Sequence, residues 1–184
     1  MSDKLCQQRS EIDQKFKWDI EAMYPDESLW EKDLEECMQE ASNFSRFKGK
    51  ITESAHTLYD ALEAKDRIFR KLEHAFVYAA MKKDEDNRVT KYQSMDDKCG
   101  SAIAKISASL SFFAPELLEA EPETIQKYIA ENPKLELYRF ALEDALREKE
   151  HVLSTAEENI LAQLSEVTGA SGDIFKMLNN ADLT

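Results

Sequence analysis

Between Pro25 and Pro115 the chain contains no proline, and its only glycines there are Gly49 and Gly100. Sandwiches and barrels need frequent Gly/Pro turns, so this scarcity excludes an all-β fold. Apolar residues in the same stretch recur at steps of three and four, the period of a helix face. One stripe carries Ala55, Leu58, Leu62, Phe69, Leu72, Phe76 and Ala79 and predicts a helix over about 52–82. The run Asp84, Glu85, Asp86, Asn87 breaks it and predicts a turn. A second stripe carries Val89, Tyr92, Met95, Cys99, Ala102, Ile106, Leu110 and Phe113. At 1.5 Å per residue each helix is roughly 40 Å long.

The flanking segments extend the pattern. Ser28 and Glu31 have the spacing of a capping box, ahead of a face made by Trp30, Leu34, Cys37, Met38, Ala41 and Phe44, with Gly49 as its stop. Residues 1–24 carry Trp18 and Tyr24 as isolated aromatics and read as an N-terminal arm that docks or frays. Gly100, Ser101, Ala102, Ala104, Ser107, Ala108 and Ser109 are all small, which predicts a seam where a neighbouring helix packs closely. Pro115, Pro122 and Pro133 divide the next stretch into short helices near 115–120 and 122–131 and a longer one over about 134–149. The longer one has Leu135, Tyr138, Leu142, Ala145 and Leu146 on one face. Ser154/Glu157 or Thr155/Glu158 caps a further helix with Ile160, Leu161, Leu164 and Val167, stopped by Gly169, and a last segment covers about 173–180. The fold class is all-α, an antiparallel helical bundle with long helical hairpins.

Charge narrows the partners. The chain has 24 Lys+Arg against 37 Asp+Glu, a net of −13. Nucleic acid and anionic membrane surfaces are themselves negative and are poor partners for it. The longest apolar run, 75–81, is far shorter than the roughly 20 residues of a membrane span. Cys6, Cys37 and Cys99 are odd in number and widely spaced, which suits a reducing compartment rather than a disulfide framework.

Catalytic constellations are scarce. His56, His74 and His151 are the three histidines, and none is followed by Glu, so the zincin motif His-Glu-x-x-His is absent. Glu53/His56 and Glu148/His151 have the Glu-x-x-His spacing of di-iron bundles, but both pairs fall off the apolar faces, whereas bundle ligands point inward. A calcium loop starting at Asp84 lacks its Gly and its closing Glu, where Val89 and Met95 stand. Ser154 beside His151 reads as a helix cap rather than a nucleophile and base. The residues therefore supply a bundle and no catalytic, cofactor or metal site.

The segment 146–162 has Arg147, Lys149, His151, Leu153, Ser154, Glu157, Glu158, Leu161 and Ala162 in one fixed frame. It closely resembles a stretch of the oligoendopeptidase F family of zinc metallopeptidases. Trp18, Asp19, Tyr24, Pro25 and Trp30 resemble that family's start, and Tyr78, Ala79, Asp84, Glu85 and Asp86 its second hairpin. Ser111, Phe112, Pro115, Glu116, Leu117, Leu135 and Tyr138 resemble its middle, and Ala181, Asp182, Leu183 and Thr184 the point just before its catalytic region.

The resemblance implies the family's non-catalytic N-terminal helical domain, inactive alone, which packs on the catalytic domain and helps wall the substrate channel. It implies a bacterial cytoplasmic enzyme acting on short oligopeptides. Zinc is then expected in the absent catalytic domain, held by two His and a Glu, with a further Glu as general base on the zinc-bound water. On this reading 1–24 is the arm, 25–170 the bundle, and 171–184 the start of the connection to that domain. Cut there, Ile174, Phe175, Met177, Leu178 and Leu183 lose their cover, so the chain alone is expected to self-associate, more strongly at high salt. The alternative is a free-standing helical interaction module, distinguished by whether the reading frame continues past Thr184 into His-Glu-x-x-His.

Overall fold

The computed structural model describes residues 11–86, 89–149 and 175. Among residues 11–149 the α-helices are, in order, α1 (Glu27–Asn43), α2 (Ala55–Glu85), α3 (Thr90–Leu110), α4 (Phe113–Leu118), α5 (Pro122–Glu131) and α6 (Arg139–Glu148). Short 3-10 turns fill Gln14–Phe16, Ile20–Ala22, Phe44–Phe47 and Pro133–Tyr138, and no strand occurs among the described residues. The fold is all-α. The chain forms two compact units, Met1–Arg139 and Phe140–Thr184.

The first unit is built on α1, α2 and α3, each packed against the other two. Cross-helix contacts give their directions. On α1 and α2, Trp30 meets Ala75, Cys37 meets Ile68 and Glu40 meets Arg67, so the two helices are antiparallel. The short connection between α2 and α3 makes an antiparallel hairpin, with Lys83 on Asp96 and Ala75 beside Cys99. Glu27 pairs with Lys91 at 2.7 Å and Glu31 with Lys98 at 2.9 Å, so α1 and α3 run parallel.

The three helices meet at Ala75, which is fully buried. Its carbonyl accepts from Trp30 Nε1 at 2.9 Å and from Cys99 Sγ at 3.7 Å. A methyl side chain leaves room for the indole, and the otherwise orphaned indole N–H finds a partner, as a buried one must.

Local chemistry sets the ends. Asp26, not Ser28, is the N-cap of α1, its carboxylate accepting from the amides of Ser28 and Leu29. Ser28 lies inside the first turn with its hydroxyl on Asp26. A carboxylate also complements the positive helix end, which favours Asp26 over the hydroxyl. Ser54 caps α2 by accepting from the Thr57 amide. The acidic run read as a turn instead continues α2 through Glu85, leaving Asp86 as the cap.

The α2 stripe also differs from the sequence reading. Ile68, Ala75 and Tyr78 face inward, whereas Phe69 is half-buried and Phe76 is exposed. Ala55, Leu58, Leu62, Leu72 and Ala79 of the expected stripe are buried, but between them the buried line passes through Ile68 and Ala75, each one residue before Phe69 and Phe76. On α3 Met95, Cys99, Ala102, Ile106 and Leu110 are buried as expected, while Val89 is the N-cap, Tyr92 is half-buried and Phe113 falls in α4.

The far end of the core, where α1 ends and α2 begins, is thoroughly closed. Phe44 packs with Phe47, Phe112 and Phe113 at ring separations of 5.2–6.2 Å. Gly49 adopts φ +74°, a left-handed turn open to glycine, and its amide donates to both Glu116 carboxylate oxygens at 2.8 and 2.9 Å. The Tyr128 hydroxyl donates to the Thr52 carbonyl and the Asn132 amide to the Ala55 carbonyl. These bonds lay α5 across the start of α2.

The single helix expected over 134–149 is split. Pro133–Tyr138 is 3-10, opened by the Asn132 side chain on the Lys134 amide, and α6 begins at Arg139. Leu135 and Tyr138 are both buried at a spacing of three, the 3-10 period. In the second unit Leu142 is buried and Phe140 is exposed. The helices read at 155–169 and 173–180 lie outside the described residues, Phe175 excepted.

Burial raises the thiols of Cys37 and Cys99 to about 11 each. Both are free. At pH 8 alkylation of the native chain is therefore expected to run on the order of a hundredfold slower at these two sites than in guanidinium. Site-resolved mass spectrometry checks this; equal rates in the two states would refute the packing.

Candidate functional site

The near end of the core, where α1 starts and the α2–α3 hairpin turns, is closed by a strap from the N-terminal segment. Asp13 opens the first 3-10 turn by accepting from the Lys15 amide at 3.1 Å. Ile20 and Tyr24 are buried. The Tyr24 ring sits 4.8 Å from His74 and 5.1 Å from Tyr78, and its hydroxyl donates to Asp33 at 2.9 Å. Burial first, then the Asp33 hydrogen bond, holds this phenol above its ordinary range. Lys71 bridges Asp33 at 3.6 Å and Glu36 at 2.6 Å. Its hydrogen bond holds Glu36 below the usual carboxylate range.

Lys82 is the one buried charged side chain among the described residues, at 7% exposure. Its ammonium bonds Glu21 of the strap and lies 3.6 Å from Glu85. It also sits 5.9 Å from the ring centres of Tyr78 and Tyr92. Burial pulls its pKa down, but the Glu21 hydrogen bond and the Glu85 charge outweigh that and leave it above the usual lysine range. These contacts are all internal, so Lys82 clamps the strap to α2 rather than offering a cation to a ligand.

A groove of about 310 Å³ runs between α1 and α3. Trp30, Leu34, Met38 and Ala102 line it, and the Glu31–Lys98 pair crosses its rim. Beside it lies the small-residue stretch of α3. Of the residues expected to form a close seam, only Ala102 is buried; Gly100, Ser101, Ala104, Ser107 and Ala108 are exposed. Apart from its chain neighbours and the backbone of its own helix, nothing lies within 4 Å of where a Gly100 Cβ would stand. The expected seam therefore holds no neighbouring helix among the described residues.

Of the two Glu-x-x-His pairs, the structure describes both members of one, Glu53 and His56. Glu53 precedes the Ser54 cap, so it is not on α2 with His56. His56 is exposed and pairs with Asp60 at 3.4 Å. Glu148 is exposed at the end of α6, while His151 and Ser154 lie outside the described residues. Asp84 is helical, so no calcium loop starts there. Among the described residues no three His, Cys, Asp or Glu side chains group to hold a metal, and no helix is long and apolar enough to cross a membrane.

What does stand out is exposed apolar surface. Phe16 and Trp18 are 74% and 78% exposed and line one shallow cleft with Lys15 and Lys17. Leu29, Phe76 and Val77 are exposed at the same end of the core. Sequence reading noted Trp18 but had no signal for its direction, because it lies outside any periodic stripe.

Comparison with known proteins gives this surface its context. A family profile described as Oligopeptidase F matches residues 116–184. The chain is 36% identical over 176 residues to Oligopeptidase PepF of Bacillus subtilis, covering 96% of this chain and 26% of that protein. It is 37% identical over 179 residues to Group B oligopeptidase PepB of Streptococcus agalactiae, covering 97% and 30%. It superposes on the crystal structure of oligoendopeptidase-F from Enterococcus faecium with a TM-score of 0.69 at 34% identity, over 86% of this chain and 31% of that one. This chain matches the N-terminal domain of the oligoendopeptidase F family. The oligoendopeptidase F match enters α4 at Glu116, the residue that clasps Gly49, and runs on through α5 and α6. The oligoendopeptidase F relatives are much longer: the chain spans 26–30% of the two curated ones.

Proposed function

We propose that this chain is the non-catalytic N-terminal domain of a cytoplasmic zinc metalloendopeptidase of the oligoendopeptidase F type, which hydrolyses short oligopeptides. The observation that carries the reading is the uneven coverage: nearly all of this chain aligns with peptidases, yet it accounts for under a third of them. The residues fit a supporting role. The sequence has no His-Glu-x-x-His, and the described residues offer no metal-binding group, so zinc would be held by the catalytic domain. The bundle would pack on that domain and wall the channel through which oligopeptides reach it. Within this proposal 1–24 is an arm, 25–170 the bundle and 171–184 the start of the connection.

The test compares two proteins on a fluorogenic oligopeptide. One is residues 1–184; the other is the same chain joined to the unmatched C-terminal part of Bacillus subtilis PepF. The first is expected to leave the peptide intact. The second is expected to cleave it and to stop when a chelator is added. Chelator-sensitive cleavage by 1–184 alone would overturn the reading.

A further inference from the structure

The ion pairs between α1 and α3 form a ladder that does not finish. Glu27 pairs with Lys91 at 2.7 Å and Glu31 with Lys98 at 2.9 Å. From one rung to the next the ladder advances four residues on α1 and seven on α3. The next members of the two series are Glu35 and Lys105, both exposed. This third rung is open: among the described residues neither side chain is in an ion pair.

The reason is geometric. At 1.5 Å per residue, one step is roughly 6 Å on α1 and roughly 10.5 Å on α3. The two rows drift apart by roughly 4.5 Å at each step, and the long side chains absorb that for two rungs and not for a third. Glu35 and Lys105 instead line the groove of about 310 Å³ from its two walls, with Leu34, Met38 and Ala102 between them. Ser101 and Ala102, one turn before Lys105 on α3, are too short to fill it.

A carboxylate on one wall, an ammonium on the other and an apolar floor match one kind of molecule. A lone cation would leave Lys105 unmet. A lone anion would leave Glu35 unmet and would approach against a net charge of −13. A small zwitterion meets both and brings no net charge. The volume sets its size, because it stands at the low end of the roughly 300–1,000 Å³ of small-molecule pockets. An amino acid or a dipeptide fits that space.

We propose that the α1–α3 groove binds an apolar amino acid or dipeptide as a zwitterion, its ammonium on Glu35, its carboxylate on Lys105 and its side chain on Leu34, Met38 and Ala102. The site needs nothing outside this chain, so it stands or falls separately from the domain reading.

Titration of residues 1–184 with leucine and with leucyl-leucine, followed by amide shifts in nitrogen–proton spectra, tests it. Saturable shifts are expected around 34–38 and 101–105, and the ligand that binds more tightly names the source. Acetyl-leucyl-leucine, which has no ammonium, should bind about tenfold more weakly, the loss of one charge-assisted hydrogen bond. Glu35→Gln should weaken leucyl-leucine by about the same factor and weaken the acetylated peptide no further. Lys105→Met should weaken leucyl-leucine about tenfold as well. Both side chains are exposed, so both variants should melt with the parent chain, and the acetylated peptide tests the charge without any variant. No saturable shift with either ligand up to about 10 mM would overturn the proposal. So would shifts confined to another face, equal binding of the acetylated and free peptides, or unchanged affinity in both variants.

Discussion

Replacing Trp30 with Ala is expected to cost about 4 kcal/mol, the middle of the range for large aromatic core side chains. Trp30 is 1% exposed and sits where α1, α2 and α3 meet. Its removal opens a cavity beside Ala75, and the short side chain at 75 gives the surroundings little with which to fill it. The indole N–H bond to the Ala75 carbonyl is lost as well, at about 1 kcal/mol within that total. Urea unfolding measures the effect: at a slope of about 2 kcal/mol per molar, the midpoint should fall by about 2 M. Trp30→Phe, which keeps most of the volume, should fall by less than half as much. A loss under about 1 kcal/mol for the alanine variant would show that α1 is not pinned at this point.

Lys82→Ala is expected to cost about 2 kcal/mol, less than the roughly 3–5 lost when one partner leaves a fully buried pair. The discount reflects Glu21, whose side chain is 62% exposed and regains water; Glu85, at 13%, does not. Lys82→Met keeps the stem against Tyr78 and Tyr92 and should recover the packing share but not the charge. The sign of the pH effect follows from the raised pKa. The contribution is complete below the unfolded lysine value of about 10.4 and is lost as pH rises through the higher folded value. Unfolding free energies of wild type and Lys82→Met should therefore converge above that window. A gap that stays constant through strongly alkaline pH would refute the charge argument.

Repeating patterns were legible and single residues were not. Scarce Gly and Pro with three-and-four spacing placed α2 and α3, because a buried helix face must repeat along its whole length. The middle of the α3 face, Met95 to Leu110, is legible because small and polar side chains surround it, whereas at its ends Val89 is the cap, Tyr92 is half-buried and Phe113 belongs to α4. The α2 face was blurred, because Phe69 and Phe76 outweigh Ala75 in any reading by hydrophobicity although Ala75 is the one at the centre. The N-cap of α1 was assigned to Ser28 because Asp26 and Ser28 are both good caps, and only the backbone decides between them. The break at Tyr138 was invisible, since Leu135, Tyr138 and Leu142 fit an α-helix as well as a 3-10 turn. The small-residue stretch reads as a seam for close approach, but small side chains suit an exposed helix face as well, and among the described residues only Ala102 of that stretch is buried. Trp18 was named from the sequence without a direction, because a lone aromatic in an aperiodic segment fits a buried and an exposed position equally.

The strap has a consequence for how the chain is made. Residues 14–24 leave the ribosome before α2, yet the surface they lie on is the last third of that helix, and Lys82 is their clamp. Until roughly eighty residues have emerged, Ile20 and Tyr24 have nowhere to settle, and the strap waits as an unpaired apolar segment. Early synthesis is when such segments are exposed to wrong partners. Lys15, Lys17, Asp19 and Glu21 are spaced through that stretch, so charged side chains flank its apolar ones during the interval in which it has no cover.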